Sequence, residues 1–409
     1  MRKQTQNKRA ERIAQLARAI ADHQAHIQVI GSNWGAVVIE KLNASERALV
    51  AQLEKSLSHL TYRANDPDIV RRLESVCDKL KAIRAAAIVE AQKAVMDDAQ
   101  YLADNETKWS KRMTKETSDP DKAKELKDVT KKTLADVVSS GLCQGFTAKE
   151  MFASLTDGDA AIVENTVRSG FSQGKTINEI VKELIGTAKN NYTDGAIQRS
   201  RSSAVNMART IANSVANNAK QAFYEANADI IIGVEILATL DGRTCPVCAA
   251  LDRKRYKTKE QHPTPPIHHQ CRCVLLPVTE LSDMVEEQRP MAKSDFMADA
   301  ERIYKEKYPQ KDFAELAPST RKKYYYEAMR AYEARTGESA YTQVAGAVNF
   351  RDYFNNHMTE QQRKDWLGKE RYNIWKRGNL KLDKFIPPYP NKKLTVKELK
   401  ELDKSGFVA

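Results

Sequence analysis

The sequence predicts a mainly α fold with a small β, zinc-stapled subdomain, set in a multi-unit helical architecture. Three observations predict it. Apolar residues recur at three- and four-residue spacing through much of the chain, the period changes to β-branched, strand-like sequence near 230–240, and four of the six cysteines crowd into the 29 residues from Cys245 to Cys273. At 409 residues the chain exceeds a typical single domain and is long enough for several units.

Hydrophobic residues make up 41%, charged residues 29% and aromatics 7%, with mean hydropathy −0.60, the profile of a polar protein rich in surface helix. The longest apolar run, IIIGV at 230–234, falls far short of the ~20 residues that span a bilayer, so no membrane partner is expected. The basic start, MRKQTQNKRAER, is followed by no apolar secretory stretch, which suits a chain that folds in a cytoplasm.

Residues 1–103 read as N-terminal helical arms or a bundle. Ile13, Leu16, Ile20 and Ile27, then Leu49, Leu53, Leu57 and Leu60, then Ile69, Leu73, Val76, Leu80, Ile83 and Ala87 form a coiled-coil-like seam. Turns are expected at Gly31 to Gly35 and at the Asn65-Asp66-Pro67-Asp68 cluster. Residues 104–127 are charged and contain Pro120, and read as a polar linker or an exposed helix.

A unit spanning 128–280 opens with an internal repeat. VVSSGLCQGFTAKEMFASL (137–155) and TVRSGFSQGKTINEIVKEL (166–184) align at an offset of 29, sharing Gly141/Gly170, Gly145/Gly174, Thr147/Thr176 and Glu150/Glu179. Each reads as a helix stopped at glycine, followed by a helix with a Thr-x-x-Glu capping box. Lys149, Lys175 and Lys182 are too few for a DNA-reading recognition helix, so packing is the favoured role. A helix at 203–226 places the mostly small residues Ala208, Ile211, Val215, Ala219 and Ala222 on one face, inviting close helix approach. Residues 230–278 then form the β element, with a turn at Asp241-Gly242 and strands expected near 234–240 and 273–277.

That element carries the chemistry. Cys245 and Cys248 form C-x2-C, and His268 and Cys271 form H-x2-C after 19 residues, a Cys3His set suited to tetrahedral zinc. Cys273, His269 and His262 are alternative ligands, and Cys271 and Cys273 are not expected to share one ion without a bend. Disulfides from Cys245 to Cys271 or Cys273 are the competing explanation, disfavoured in a cytoplasm. Four protein ligands would close the coordination shell, so a structural zinc is expected rather than a catalytic one. Cys77 and Cys143 read as small core residues.

Residues 281–344 read as a tyrosine-rich helical connector. Tyr304, Tyr308, Tyr324, Tyr325, Tyr326 and Tyr332, beside Arg321, Lys322 and Lys323, suit an assembly interface. Residues 345–409 read as a C-terminal helical, basic and aromatic module. Trp366, Leu367, Tyr372, Ile374 and Trp375 supply apolar mass, Gly368 and Gly378 supply breaks, and Thr395-x-x-Glu398 caps a last helix.

Lysine and arginine number 66 against 54 aspartate and glutamate, a net charge of +12 that favours acidic partners, nucleic acid first. Both ends are basic: six basic residues face only Glu11 in the first twenty positions, and 361–400 holds 12 basic against 4 acidic residues. Arg2, Lys3, Lys8 and Arg9 at one end, and Arg371, Lys376, Arg377 and Lys381 among the aromatics at the other, are the candidate nucleic-acid contacts. Solvated helix faces and a packed aromatic module are the commoner explanations.

The stretch TLDGRTCPVC, LDRKRY and PPIHHQCRCVLLPV, with the small-residue helix before it, closely resembles the phage Mu F-like minor head proteins of the phage head-morphogenesis family, over about 170–278. The family pattern usually has glycine after Leu-Asp and proline after the first histidine, where this chain has Arg253 and His269. The segment from Asn349 looks like the tail that often follows the Cys-Arg-Cys element. The resemblance implies a minor capsid protein of the virion, assembled in the host cytoplasm and located in the capsid interior near the portal. Its implied partners are the portal protein, phage DNA and the scaffold or major capsid protein, and its implied role lies in head assembly and DNA packaging or ejection. No Ser/His/Asp set, phosphate loop or dinucleotide fingerprint stands out, so no enzyme is expected. The rivals are a zinc-containing nuclease acting on phage DNA and a DNA-binding regulator using the duplicated units.

Overall fold

The helical body is built around two long helices, α1 (Arg2–Leu57) and α2 (Pro67–Thr117). A computed structural model describes residues 2–57, 66–190, 192–280, 282, 288–293, 296–338, 340–345, 348–386, 390 and 393–404, with backbone only at 2–22, 24–25, 288–290, 343 and 345. Asp66 caps α2 by accepting from the Asp68 N–H, and Pro67 sits in the first turn, where a missing N–H costs no helical bond. Leu60 of the anticipated seam lies outside the described residues.

Three shorter helices follow, α3 (Lys131–Ser140), α4 (Ala148–Ser172) and α5 (Ile177–Ile185), then the long α6 (Gln198–Ala226). Both anticipated capping boxes form, Thr147 with Glu150 ahead of α4 and Thr176 with Glu179 ahead of α5. Trp34, Val38 and Leu42 of α1, Ile88, Val95 and Leu102 of α2, Phe152 of α4 and Ala208, Ile211 and Val215 of α6 share one core. The N-terminal helices and the following unit are thus packed as one body. A second cluster joins Leu49 and Leu53, Val76 and Leu80, Val167 and Phe171, and Ile180 and Leu184. Arg84 is buried between these layers, with a bidentate pair to Asp159 at 2.7 and 2.8 Å and bonds to the Leu42 carbonyl and Ser45 Oγ.

Two sequence expectations change here. Gly31 to Gly35 is no turn, because α1 runs through it. A Cβ at Gly31 would sit 2.9 Å from the Arg209 Cα, and one at Gly35 would sit 3.1 Å from Val205 Cγ1, so these glycines let α1 approach α6. Residues 104–117 are neither linker nor exposed helix: they continue α2, and Glu106, Trp109, Ser110, Met113 and Thr114 are buried. Their charged residues mark one face of a helix whose other face packs.

After α6 come β1 (Gly233–Leu237), α7 (Pro246–Leu251), β2 (Lys254–Lys257) and β3 (Val274–Val278). The sheet order is β2-β1-β3, all antiparallel, with Gly233 opposite both Lys257 and Val278. The expected strands pair, and β2 adds a third. A second sheet pairs β4 (Gln288–Ala292) with β5 (Tyr341–Ala345), flanking α8 (Phe296–Lys307) and α9 (Pro318–Thr336).

The anticipated tyrosine interface is mostly interior. Tyr304, Tyr324 and Tyr325 are buried with Phe296 and Phe313 between α8 and α9, while Tyr308 stays exposed. Arg321 leaves its helix to pair with Asp365 and to donate to the carbonyls of Ala314 and Leu316.

The tail comprises α10 (Phe350–Asp352), a π-type turn at Tyr353–His357, α11 (Glu360–Leu367), α12 (Lys369–Lys376) and α13 (Val396–Lys404). Trp366, Leu367, Tyr372 and Ile374 are buried in its core with Phe350 and Phe385, Trp375 packs on its margin, and Leu240, Ala249 and Ala250 join from the β element. Gly368 and Gly378 have φ of +80° and +83°, and Thr395 and Glu398 bond reciprocally ahead of α13. No described helix is long and apolar enough to cross a membrane.

Candidate metal centre

Short-range geometry gathers the sulfurs. Cys245 is the N-cap of α7, its Sγ accepting from the Cys248 N–H at 3.4 Å, so the first turn of a proline-started helix brings both thiols to one side. On the opposite strand the chain turns back through Gln270, whose φ is +59°, and the Cys271 N–H donates to the His268 carbonyl at 3.0 Å. His268 Nε2 then lies 3.2 Å from Cys245 Sγ and 3.1 Å from Cys248 Sγ, and Cys248 and Cys271 sulfurs are 3.8 Å apart. Tetrahedral zinc with Zn–S bonds of ~2.3 Å requires sulfurs ~3.8 Å apart, the separation that Cys248 and Cys271 show. A cavity of about 20 Å³ beside them is lined by Cys245, Cys248, His268 and Cys273, with Arg243 and Arg272 also on its wall.

His268 Nδ1 faces the His269 carbonyl at 2.8 Å, which makes Nδ1–H the donor and leaves Nε2 free to ligate. Protons are unevenly shared. The hydrogen bond with Cys248, together with His268, draws the Cys245 thiol down to about 4, and the Cys245 sulfur raises His268 to about 9. Cys271 is held well below the ordinary thiol range, chiefly by Cys248. Thiolates are the form that binds metal.

The structure gathers the predicted donors in two triplets that share Cys248, namely Cys245, Cys248 and His268, and Cys248, Cys271 and Cys273, the donor atoms of each lying within 4.8 Å of one another. Cys271 and Cys273 thus turn their sulfurs to the same side, as residues two apart on extended chain do. His262 stacks on Tyr256 at 5.6 Å, and His269 is an exposed residue lining a cavity between α4 and α6, so neither joins the cluster. All six cysteines are free, and Cys77 and Cys143 are buried as expected.

Helix α6 holds the cysteine strand by a polar stripe. Thr210 Oγ1 accepts from the Gln270 N–H at 3.1 Å, Asn213 donates to the Cys271 carbonyl at 2.7 Å, Asn217 accepts from the Leu275 N–H at 2.9 Å, and Tyr224 donates to the Leu275 carbonyl at 3.2 Å. The stripe satisfies the strand edge that has no neighbour in the sheet.

A buried carboxylate ties the centre to the rest of the chain. Asp241 accepts two bonds from Arg272, at 2.6 and 2.7 Å, and others from Arg243 and the Tyr341 hydroxyl. Burial alone would raise its pKa, but the guanidiniums of Arg272 and Arg243 hold it far below the usual range. Asp252 accepts from the Ala238 and Phe350 N–H groups, and Trp366 Nε1 donates to the Thr244 carbonyl at 2.7 Å, docking the tail on the loop that leads into Cys245. Arg253 adopts φ +64°, a left-handed conformation that glycine enters without Cβ strain, and bonds Glu235.

Sequence reasoning missed Asp241, Asp252, Arg272 and the α6 stripe. The visible signal was Thr210, Asn213 and Asn217 at three- and four-residue spacing in an otherwise small-residue helix. Among the proposed nucleic-acid contacts, Lys376 pairs with Glu360, Arg377 pairs with Asp403, and Arg371 donates to the Leu394 carbonyl, while Lys381 is exposed. Arg2, Lys3, Lys8 and Arg9 lie in the first turns of α1, with side chains outside the described residues.

Residues 161–276 match the family model described as Phage Mu protein F like protein. The matched segment runs from α4 into β3 and contains all five clustered donors, so the chain carries a Phage Mu F-like segment, consistent with a phage head-morphogenesis minor head protein. No curated protein and no solved structure matches the chain.

Proposed function

We propose that the chain is a phage minor head protein, a non-enzymatic capsid-interior component that associates with the portal and acts in head assembly and in DNA packaging or ejection. The observation that carries this reading is the Phage Mu F-like match over 161–276, whose C-terminal part contains the cysteine and histidine cluster. One zinc held by Cys245, Cys248, His268 and Cys271 would fix the β element against the helical body, with Cys273 as a neighbouring thiol. Zinc supplies there a rigid tetrahedral node. Four protein donors leave no open position for a substrate or water, and a fifth thiol stands beside them, which supports a staple over a nuclease centre.

Portal, phage DNA and scaffold or major capsid protein are the proposed partners. The test is mild disruption of phage particles carrying a tagged copy of the chain. Release together with portal supports the reading; release with neither portal nor DNA, or absence from particles, contradicts it. Purified chain should also leave DNA intact in magnesium or manganese, and cleavage lost on His268→Ala with the fold retained would favour the nuclease instead.

A further inference from the structure

We propose that strand β2 and its flanks, Arg253-Lys254-Arg255-Tyr256-Lys257-Thr258-Lys259, form a contact surface for the phosphate backbone of double-stranded DNA. This rests on the DNA-partner reading above and names the surface that serves it. Five of these seven residues are basic. Two carboxylates lie nearby: Glu235 on the neighbouring strand, which is buried and already held by Arg253 at 2.5 Å and Arg255 at 2.6 Å, and the exposed Glu260, whose carboxylate accepts from the Lys257 backbone N–H at 3.2 Å. Among the described residues no acidic side chain pairs with Lys254, Lys257 or Lys259.

Position makes the charge usable. β2 is an outer strand, paired with β1 along one edge only. Arg255, Lys257 and Lys259 are exposed. Arg255 and Lys257 share a face ~6.7 Å apart, about twice the ~3.4 Å rise per phosphate along one DNA strand. The backbone is held at both ends, by the Arg253 N–H on the Ile236 carbonyl at 2.8 Å and by Thr258 Oγ1 on the Ile231 carbonyl, so little order need be gained on binding. The tail offers less, because Lys376, Arg377 and Arg371 are engaged within the chain. Lysines on a strand edge also block strand-to-strand aggregation, and that simpler role predicts no effect on DNA.

The test uses the full chain and a 30-bp mixed-sequence duplex, titrated between 50 and 200 mM salt. Lys254→Gln/Lys257→Gln/Lys259→Gln is expected to lower the slope of log K against log salt by about 2 to 3 and to weaken binding at least tenfold at low salt. The tail triple Lys369→Gln/Lys397→Gln/Lys404→Gln, which removes the same charge, is expected to leave the slope unchanged. Lys257→Gln/Lys259→Gln, both exposed, serves if the first triple melts early, and should lower the slope by about 2. Equal losses in both triples, or an unchanged slope in the β2 variants, overturn the assignment while leaving DNA as a partner. A wild-type chain that binds no duplex at low salt overturns both.

Discussion

The side-chain amide of Asn213 donates to the carbonyl of Cys271 at 2.7 Å, tying the middle of a buried helix to a residue whose sulfur lies 3.8 Å from that of Cys248 in the cysteine and histidine cluster. Asn213 →Ala leaves that carbonyl buried without a partner, and we expect a loss of about 1–3 kcal/mol in urea unfolding. Zinc affinity should fall with it, since the bond sets the backbone that aims the thiolate. Unchanged stability and unchanged metal retention would show that the stripe on α6 is incidental.

Arg84 and Asp159 form a desolvated pair, with side chains 1% and 0% exposed. Arg84→Ala strands a buried carboxylate and should cost about 3–5 kcal/mol. The double replacement Arg84→Met/Asp159→Leu should recover much of that loss, because neither charge then needs compensation. A double variant as unstable as the single one would place the cost in packing rather than charge.

Trp366 tests the docking of the tail. Trp366→Phe removes the bond to the Thr244 carbonyl and part of the ring volume while keeping an aromatic side chain, and should cost about 1–3 kcal/mol. Trp366→Ala also empties an aromatic site shared with Phe350 and Phe354, for about 3–5 kcal/mol. Limited proteolysis should then release fragments beginning near the start of the tail, and an unchanged digestion pattern would contradict the docking role.

His23 lies flat on Trp109 at 4.0 Å, with Nε2 2.8 Å from Glu106, which is also paired with Lys220 at 3.2 Å. Burial lowers its pKa below 6.5, Lys220 and His26 act the same way, and Glu106 opposes them. The unfolded chain therefore takes up the proton more readily. Stability from this group is fully present above pH 6.5 and is lost as the pH falls through the lower folded value. Urea unfolding at pH 7.5 and pH 5 should show a drop that His23→Gln reduces; equal pH dependence in the two proteins would contradict it.

The elements legible in sequence were those fixed by local chemistry: capping boxes, the proline-led start of α2, the β-branched switch at β1 and the cysteine spacing. Gly31 and Gly35 misled because a glycine reads alike whether it serves a turn or a close helix crossing. Residues 104–117 looked like linker because their charges are continuous in sequence, whereas Trp109 and Met113 are separated from their partners Leu237 and Val274 by more than a hundred positions. The H-x2-C spacing put His268 ahead of His269 and His262, and the ring direction that places its Nε2 at the Cys245 and Cys248 sulfurs is what spacing alone does not encode. Asp241 and Asp252 were hidden because ordinary turn aspartates and these buried hubs look identical until the tail folds over them.

The most direct measurement is the metal content of the natively purified chain, by mass spectrometry and elemental analysis, for wild type, Cys248→Ser and His268→Ala. The account predicts one zinc per wild-type chain, retained through dialysis, and sharply reduced in both variants, with chelation loosening the β element. A wild-type chain that is folded, free of zinc and unchanged by chelator, with its clustered thiols open to modification, would contradict it.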